Sequence, residues 1–393
     1  MTNKKIQYKI SSLFCFLTIF SVVVDPSNTI LHIKDFCFVL FCITSFPYLN
    51  FKKALIFIYF LLIYFVSFSF QEFFFYDQID YSYAFSTLKT FIFLWLLFLV
   101  SKNSRYLVFD YFYYSVLLLS FIISVLFLCC KYYPPFENAL FLLATKGFLK
   151  STVFMSRRIF FGIEMFQLFY KTSPLAIFTL SFSLYKYLET KRTKYFIHSI
   201  FFSLFLLASG TRANIFSLLL IFFLSILVYA FYHNKKIIFI LLSTFVIIGF
   251  LFATYKLLTE SGEASLTEKT LHMKSYLYLF SQNPIKYLLI GEGPGSLFYS
   301  LGNNRLQPQT ELCYFDLIRN YGLILTCGII LIYLYSLFLV KTKLKGAFGA
   351  TLSFGYIAFL FICGTNPFLV SSTGFIVLIL MFYIADNYKI ISC

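Results

Sequence analysis

The chain has 393 residues, of which 60% are hydrophobic, 23% aromatic and only 12% charged, with a mean hydropathy of +0.83. Soluble proteins carry roughly twice that share of charge, so there is too little polar surface here to coat one or two ordinary soluble domains. The net charge of +16, from 32 Lys and Arg against 16 Asp and Glu, would raise nucleic acid as a partner for a soluble protein; in a membrane protein the placement of the charge decides, and it gives no reason to invoke one.

Lys4, Lys5 and Lys9 precede an apolar run that ends at Val24-Asp25-Pro26. No small-x-small cleavage site follows, so the run is expected to be retained as a first span. A helix needs about 20 mostly apolar residues to cross a bilayer. Windows of that kind lie at 8–24, 31–49, 54–70, 82–101, 109–130, 173–189, 195–209, 213–232, 237–255, 320–340, 347–364 and 367–385. The expected fold is therefore an all-α polytopic membrane protein, a single integral membrane domain over 1–393 with about 12 transmembrane helices. Two intervals, 131–172 and 256–319, hold most of the remaining chain. The nine Cys lie almost all in apolar runs without paired C-x-x-C spacing, and read as small buried hydrophobes, not a disulfide framework or a zinc site.

Lys and Arg of short loops stay on the cytoplasmic side. With the N-terminus inside, the cytoplasmic segments collect Lys52, Lys53, Lys102, Arg105, Lys186, Lys191, Arg192, Lys194, Lys235, Lys236, Lys341, Lys343, Lys345 and Lys389. The turns at Asp25, at 71–80 and at Gly364-Thr365-Asn366 carry no base. Both termini are then cytoplasmic, and 131–172 and 256–319 become two large external loops. These break the charge rule, with Lys131, Lys146, Lys150, Arg157, Arg158 and Lys171 in the first and Lys256, Lys269, Lys274, Lys286, Arg305 and Arg319 in the second. External base fits an anionic partner; ordinary solvation of long loops, which are partly exempt from the rule, fits as well.

Within the first loop, 136–149 and 159–170 are too apolar for a free loop and too short or interrupted to span, which predicts interfacial or re-entrant helices. Ser209-Gly210-Thr211-Arg212 is an external turn between two apolar runs. Its guanidinium must sit at the interface or face a polar cavity, because a charge at the membrane centre costs several kcal/mol. Lys89, Lys34 and Asp35 pose the same problem, answered by snorkelling or an internal ion pair. The second loop has an amphipathic stretch at 271–280, then Asn283-Pro284 and Gly291-Glu292-Gly293-Pro294-Gly295. Gly291, Gly293 and Gly295 permit tight turns and close backbone approach, but Pro294 and the missing strand fit no nucleotide fingerprint. From Pro308, with Thr310 as cap, a helix is expected to run into the next span. It would carry Glu311, Phe315 and Arg319 on one face, and Asp316 and Arg319 as an i, i+3 pair.

Taken in order over roughly 155–372, these residues resemble the Wzy-type O-antigen polymerases of the O-antigen polymerase and ligase superfamily, bacterial membrane glycosyltransferases. Arg158 with Gly162 is similar to the family's first-loop signature, and Ser209-Gly210-Thr211-Arg212 to its serine-glycine-x-arginine turn. Asn283-Pro284 with the glycine block, Thr310-Glu311 through Asn320-Tyr321-Gly322, and Asn366-Pro367 with Ser371-Ser372 continue the resemblance. It implies transfer of a growing glycan from undecaprenyl pyrophosphate to an undecaprenyl-pyrophosphate-linked repeat unit at the outer face of the bacterial inner membrane. No metal or cofactor is implied, and a chain-length regulator and a flippase are implied as partners beside the membrane lipids. A diphosphate leaving group needs fixed cations where charge develops, and the planar, always-charged Arg fork suits phosphate oxygens. Glu311, Arg212 and Arg158 are the expected catalytic residues, with Arg157, Arg305 and Arg319 holding the diphosphate. Ligases of the superfamily carry a His near the exit of the second loop. Here Thr310-Glu311 stands there, and His272, the loop's only His, reads as structural, so polymerase is preferred to ligase. A non-enzymatic flippase of lipid-linked oligosaccharide is the reading from another class; it would show two similar halves and short loops.

Overall fold

A backbone surrounded by hydrocarbon has no water to bond with, so long apolar runs close their N–H and C=O groups internally as helices. The computed structural model describes residues 2–74, 79–99, 106–160, 163–237, 240–241, 243–244, 248–249 and 264–392. In chain order the elements are α1 (Thr2–Val24), α2 (Lys34–Ser45), α3 (Ala54–Phe74), α4 (Tyr81–Ile92, continued by a 3-10 helix Phe93–Leu99), α5 (Val108–Tyr132), α6 (Pro134–Thr145), β1 (Val153–Phe160), β2 (Ile163–Tyr170), α7 (Leu175–Thr190), α8 (Thr193–Ala208) and α9 (Arg212–Tyr232). After the next described stretch come α10 (Ala264–Gln282), α11 (Pro284–Leu289), β3 (Phe298–Ser300), β4 (Arg305–Gln307), α12 (Cys313–Lys343), α13 (Ala347–Gly364) and α14 (Ser372–Ser392).

Among the described residues, seven helical stretches are long and apolar enough to cross a membrane: Ile6–Val24, Phe51–Phe73, Tyr81–Leu99, Val108–Tyr132, Arg212–Tyr232, Cys313–Lys343 and Ala347–Gly364. They mark the chain as a membrane-embedded helical protein. Thr193–Ala208 and Ser372–Asn387 are shorter apolar helices. The expected span at 31–49 holds only the 12-residue α2 and a 3-10 turn at Phe46–Tyr48. Pro47 cannot continue an α-helix, and 12 residues reach about 18 Å against a hydrocarbon core of about 30 Å. Most of the window 237–255 lies outside the described residues, as do Lys102, Arg105, Asp77 and Lys256.

The core centres on α7 and α14. Every residue from Leu175 to Leu184 is buried, and so is each from Phe375 to Ala385. Small residues permit this density, since helices without a hydrophobic drive between them associate through close packing. A Cβ at Gly355 of α13 would lie 2.3 Å from Ser181 Oγ of α7.

The first loop corrects one of its two expected interfacial helices within a chain that is otherwise predominantly helical. The helix anticipated at 159–170 is instead the second strand of an antiparallel hairpin, with Val153 opposite Tyr170, Met155 opposite Leu168 and Arg158 opposite Met165. Val153, Met155, Leu168 and Tyr170 are buried while Phe154 is exposed. That is the period of a half-buried strand, and the hairpin satisfies its backbone within the ladder. The helix expected at 136–149 is present in part, as α6. A second short hairpin, β3–β4, pairs Phe298 with Gln307 in the second loop.

Contacts between distant segments sort into two sets. In one, the turn after α1, closed locally by Asp25 on Thr29 N at 2.8 Å, meets the first loop where Thr172 Oγ1 donates to Val23 O at 2.7 Å. Lys171 Nζ donates to Ser27 Oγ at 3.1 Å, Asp80 N to Gly295 O at 2.8 Å, and Ile79 bridges to Ser296. In the other, Lys53 and Lys343 both bind Asp386 at 2.5 and 3.1 Å, Asn50 N donates to Phe98 O at 2.7 Å, and His233 faces Glu189 at 3.8 Å. Segments expected outside meet one another, and those expected inside meet one another. We therefore expect opposite labelling in a cysteine-free background: in sealed vesicles, an impermeant maleimide should reach Thr29→Cys and Asn303→Cys from one side and Lys345→Cys only from the other. Labelling of all three from one side would break this division.

Candidate functional site

At the base of the second loop the first turns of α12 carry Asp316, Arg319 and Asn320, all buried. Arg319 has 0% exposure and presents its guanidinium to four segments at once. Nη1 donates to Ser296 O at 2.8 Å and to Ser296 Oγ at 2.5 Å, and Nη2 donates to Pro308 O. The Phe298 ring lies 4.5 Å from Cζ, a cation–π distance. Nε faces Asp316 Oδ1 at 3.8 Å and Nη1 faces Glu292 Oε2 at 3.7 Å, ion pairs longer than hydrogen bonds. Each carboxylate has closer partners. Asp316 accepts from Tyr276 Oη at 2.5 Å and from Thr310 N at 2.9 Å, and Glu292 accepts from Lys286 Nζ at 2.8 Å and from Tyr287 Oη. Burial and the Asp316 carboxylate raise the pKa of the Tyr276 hydroxyl, keeping it a protonated donor. Burial and Glu292 do the same for Tyr287.

The glycine block closes on this network by backbone contact. Glu292 N donates to Arg319 O at 2.7 Å and Gly293 N to Asn320 O at 2.9 Å. Gly291 (φ 76°) and Gly322 (φ 77°) face each other. A Cβ on Gly291 would stand 2.5 Å from Arg319 O, and one on Gly322 2.5 Å from the Leu289 carbonyl carbon. Only glycine fits such left-handed, backbone-to-backbone positions without strain. Gly293 lies on α3, where a Cβ would meet the Gln71 Cβ at 2.6 Å. The buried Gln71 amide satisfies both neighbours with its nitrogen donating to Pro294 O at 3.0 Å and its oxygen accepting from Ser296 N at 2.9 Å. Gly295 O accepts from Asp80 N, which ties the block to the start of α4.

Arg212 opens α9, capped by the Thr211 side chain, which accepts from Asn214 N at 3.4 Å. Its turn packs on the first loop. Asn214 Nδ2 donates to Ser173 Oγ and Ser209 Oγ, both at 2.9 Å, and Gly210 lies against the Gln167 side chain of β2. The C-terminal end of α13 joins the two regions: Phe216 of α9 meets Phe361 at 6.4 Å between ring centroids, and Tyr314 Oη of α12 donates to Leu360 O at 2.9 Å. Arg212 and the second loop thus open at the same end of the molecule.

Several expected positions change. Helix α12 starts at Cys313 with Leu312 as its N-cap, because Thr310 turns back to bond Leu312 N at 3.0 Å and Asp316. Glu311 therefore lies before the helix and shares no helical face with Phe315 and Arg319. It is 57% exposed and pairs with Lys269 at 3.4 Å. Arg319, expected on the diphosphate, is sealed in the loop base by the bonds given above. The Asp316–Arg319 pair forms as the i, i+3 spacing predicts. Arg157 is exposed and holds Glu137 at 3.0 Å, and Arg305 is exposed on β4. The Arg158 side chain and Gly162 lie outside the described residues. Lys89 pairs with Asp35 at 3.3 Å, while Lys34 Nζ donates to Pro26 O. No local pattern points to Gln71 or Tyr276, and Glu292 reads from the sequence only as part of a turn. Among the described residues no three His, Cys, Asp or Glu side chains gather as a metal site requires. Comparison with protein-family models, curated proteins and solved structures gave no match.

His272 is buried in α10, with Nδ1 bonded to Ser300 Oγ at 2.5 Å and Nε2 3.8 Å from Glu268. Burial pulls its pKa below the ordinary value; Glu268 and Glu311 oppose this and Lys269 adds to it. A base with a lowered folded pKa contributes stability that is full above its unfolded pKa of about 6.5 and is lost as pH falls through the folded value. Limited proteolysis of the second loop should therefore accelerate as pH falls from 7 to 5, and His272→Asn should flatten that dependence. An unchanged pH profile in the variant would assign the acid sensitivity to other groups.

Proposed function

We propose that the protein is a membrane glycan polymerase. It transfers a growing oligosaccharide from undecaprenyl pyrophosphate to an undecaprenyl-pyrophosphate-linked repeat unit at the outer face of the bacterial inner membrane, in O-antigen or capsule synthesis. The supporting observation is the convergence of the resemblance motifs: the Arg212 turn and the exposed Glu311 open at one end of the helices, joined through α13. On this reading α7, α8, α14 and the apolar window expected at 237–255 add to the seven long helices, and α2, too short for an undistorted bilayer, completes the twelve crossings with local thinning, both termini cytoplasmic.

In the proposed reaction an acceptor hydroxyl attacks the donor sugar's anomeric carbon, the bond from that carbon to the diphosphate oxygen breaks, and the diphosphate leaves with its electron pair. Glu311 takes the hydroxyl proton, and Arg212 with Arg158 stabilises the leaving charge. Arg305, exposed on β4, faces the outer part of the anion, and Arg157 joins it on exchanging Glu137 for phosphate. The buried setting of His272 favours polymerase over ligase, since its ring faces Ser300 and offers no open edge to a sugar acceptor.

Complementation of a deletion strain with variants, read on gels of surface polysaccharide, tests this. Loss of a polymerase leaves a single repeat unit on the acceptor; loss of a ligase leaves long chains on the carrier; loss of a flippase exports nothing. Arg212→Lys and Glu311→Gln should each reduce long chains by about 100-fold at normal expression, the scale of losing one transition-state contact. Full-length chains in both variants would remove these residues from the chemistry.

A further inference from the structure

Between α6 and β1 of the first loop lies a groove of about 430 Å³. Its floor is apolar, made by the buried Ala144, Val153 and Met155, and its rim carries the exposed Phe141, Phe154 and Lys150. Lys150 lines the groove and Lys146 lies beside it; both are exposed and have no acidic partner among the described residues. The acid of α6, Glu137, lies outside the lining and is held by Arg157 Nη2 at 3.0 and 3.3 Å. The lining residues of α6, Phe141 to Thr145, extend over about 6 Å of helix. Phe148, Leu142 and Leu143 are exposed beside it, so the groove opens onto an apolar surface.

An apolar groove with exposed lysines at its edge and its nearby acid already paired matches an amphiphile with an anionic head. We propose that this groove binds one anionic phospholipid of the surrounding bilayer, its phosphate against Lys150 and Lys146 and one acyl chain along Phe141 and Phe154. An acyl chain is as comfortable in the bilayer as in the groove, so selectivity comes from the head-group charge. The inference does not depend on the polymerase reading, because the groove lining contains none of the residues assigned to that reaction, and Arg157 lies outside it.

The test uses the full chain in nanodiscs of phosphatidylcholine and phosphatidylglycerol doped with photoreactive phosphatidylglycerol. Cross-links should map to the segment 141–155. The Lys146→Gln/Lys150→Gln pair should lower their yield roughly tenfold to thirtyfold, as expected for two basic residues at an anionic head group. Thr145→Trp, which fills the rim from an exposed position, should do the same with both lysines intact. The proposal is overturned if photoreactive phosphatidylcholine labels the segment equally or if the double variant labels like the parent. It is also overturned if an equimolar amount of undecaprenyl phosphate displaces the label, which would give the groove to the carrier lipid.

Discussion

A guanidinium with no exposed surface is the constraint on which the second loop depends. An isolated buried charge is prohibitive, and a buried ion pair offsets its desolvation only when the remaining donors are satisfied as well. Arg319 approaches that condition by drawing on separate stretches of chain: Ser296 and Phe298, Pro308, the carboxylate of Glu292 and that of Asp316 on its own helix; its Nε faces Asp316 without a hydrogen bond. The carboxylates are held in turn by Tyr276, Thr310, Tyr287 and Lys286. Among the described residues of the loop, α10, α11, the glycine block, β3 and the turn before α12 all touch this network.

The backbone completes what the charges begin. Gly291 and Gly322 let the loop and α12 meet without side chains between them, and Gln71 of α3 clasps the same block from the other side. These contacts leave Glu311 outside the helix and exposed, next to Lys269. They also separate the roles of the arginines. Arg319 is an internal fastener, whereas Arg212 stands at the start of a membrane helix on the open end of the molecule, on a turn seated against the first-loop hairpin.

How much of this could be read in the sequence follows from which forces act locally. A lipid-facing backbone must be helical, so α3, α5, α9, α12 and α13 were visible as apolar windows of the right length. The β1–β2 hairpin was not. In a chain that is 60% hydrophobic the alternation through Val153, Phe154 and Met155 is hidden, because apolar residues occupy both faces. The Asp316–Arg319 pair was legible because helical spacing brings it together. Glu292, Tyr276 and Gln71 were not, since their partners come from distant segments and no local pattern encodes a tertiary hydrogen bond. Thr310 looks like a cap and predicts too early a start for α12, yet its hydroxyl and amide serve Leu312 and Asp316.

The account centres on Arg319 as the fastener of the second loop, and a double-mutant cycle between Arg319 and Asp316 examines it most directly. Thermal unfolding of the purified protein would be compared for the parent, Arg319→Met, Asp316→Asn and the double variant. Residues in one buried network couple by about 0.5–3 kcal/mol, and removing one charge leaves the other uncompensated. The single variants should therefore each lose several degrees, with the double variant losing clearly less than their sum. Strict additivity of the two losses would contradict the account.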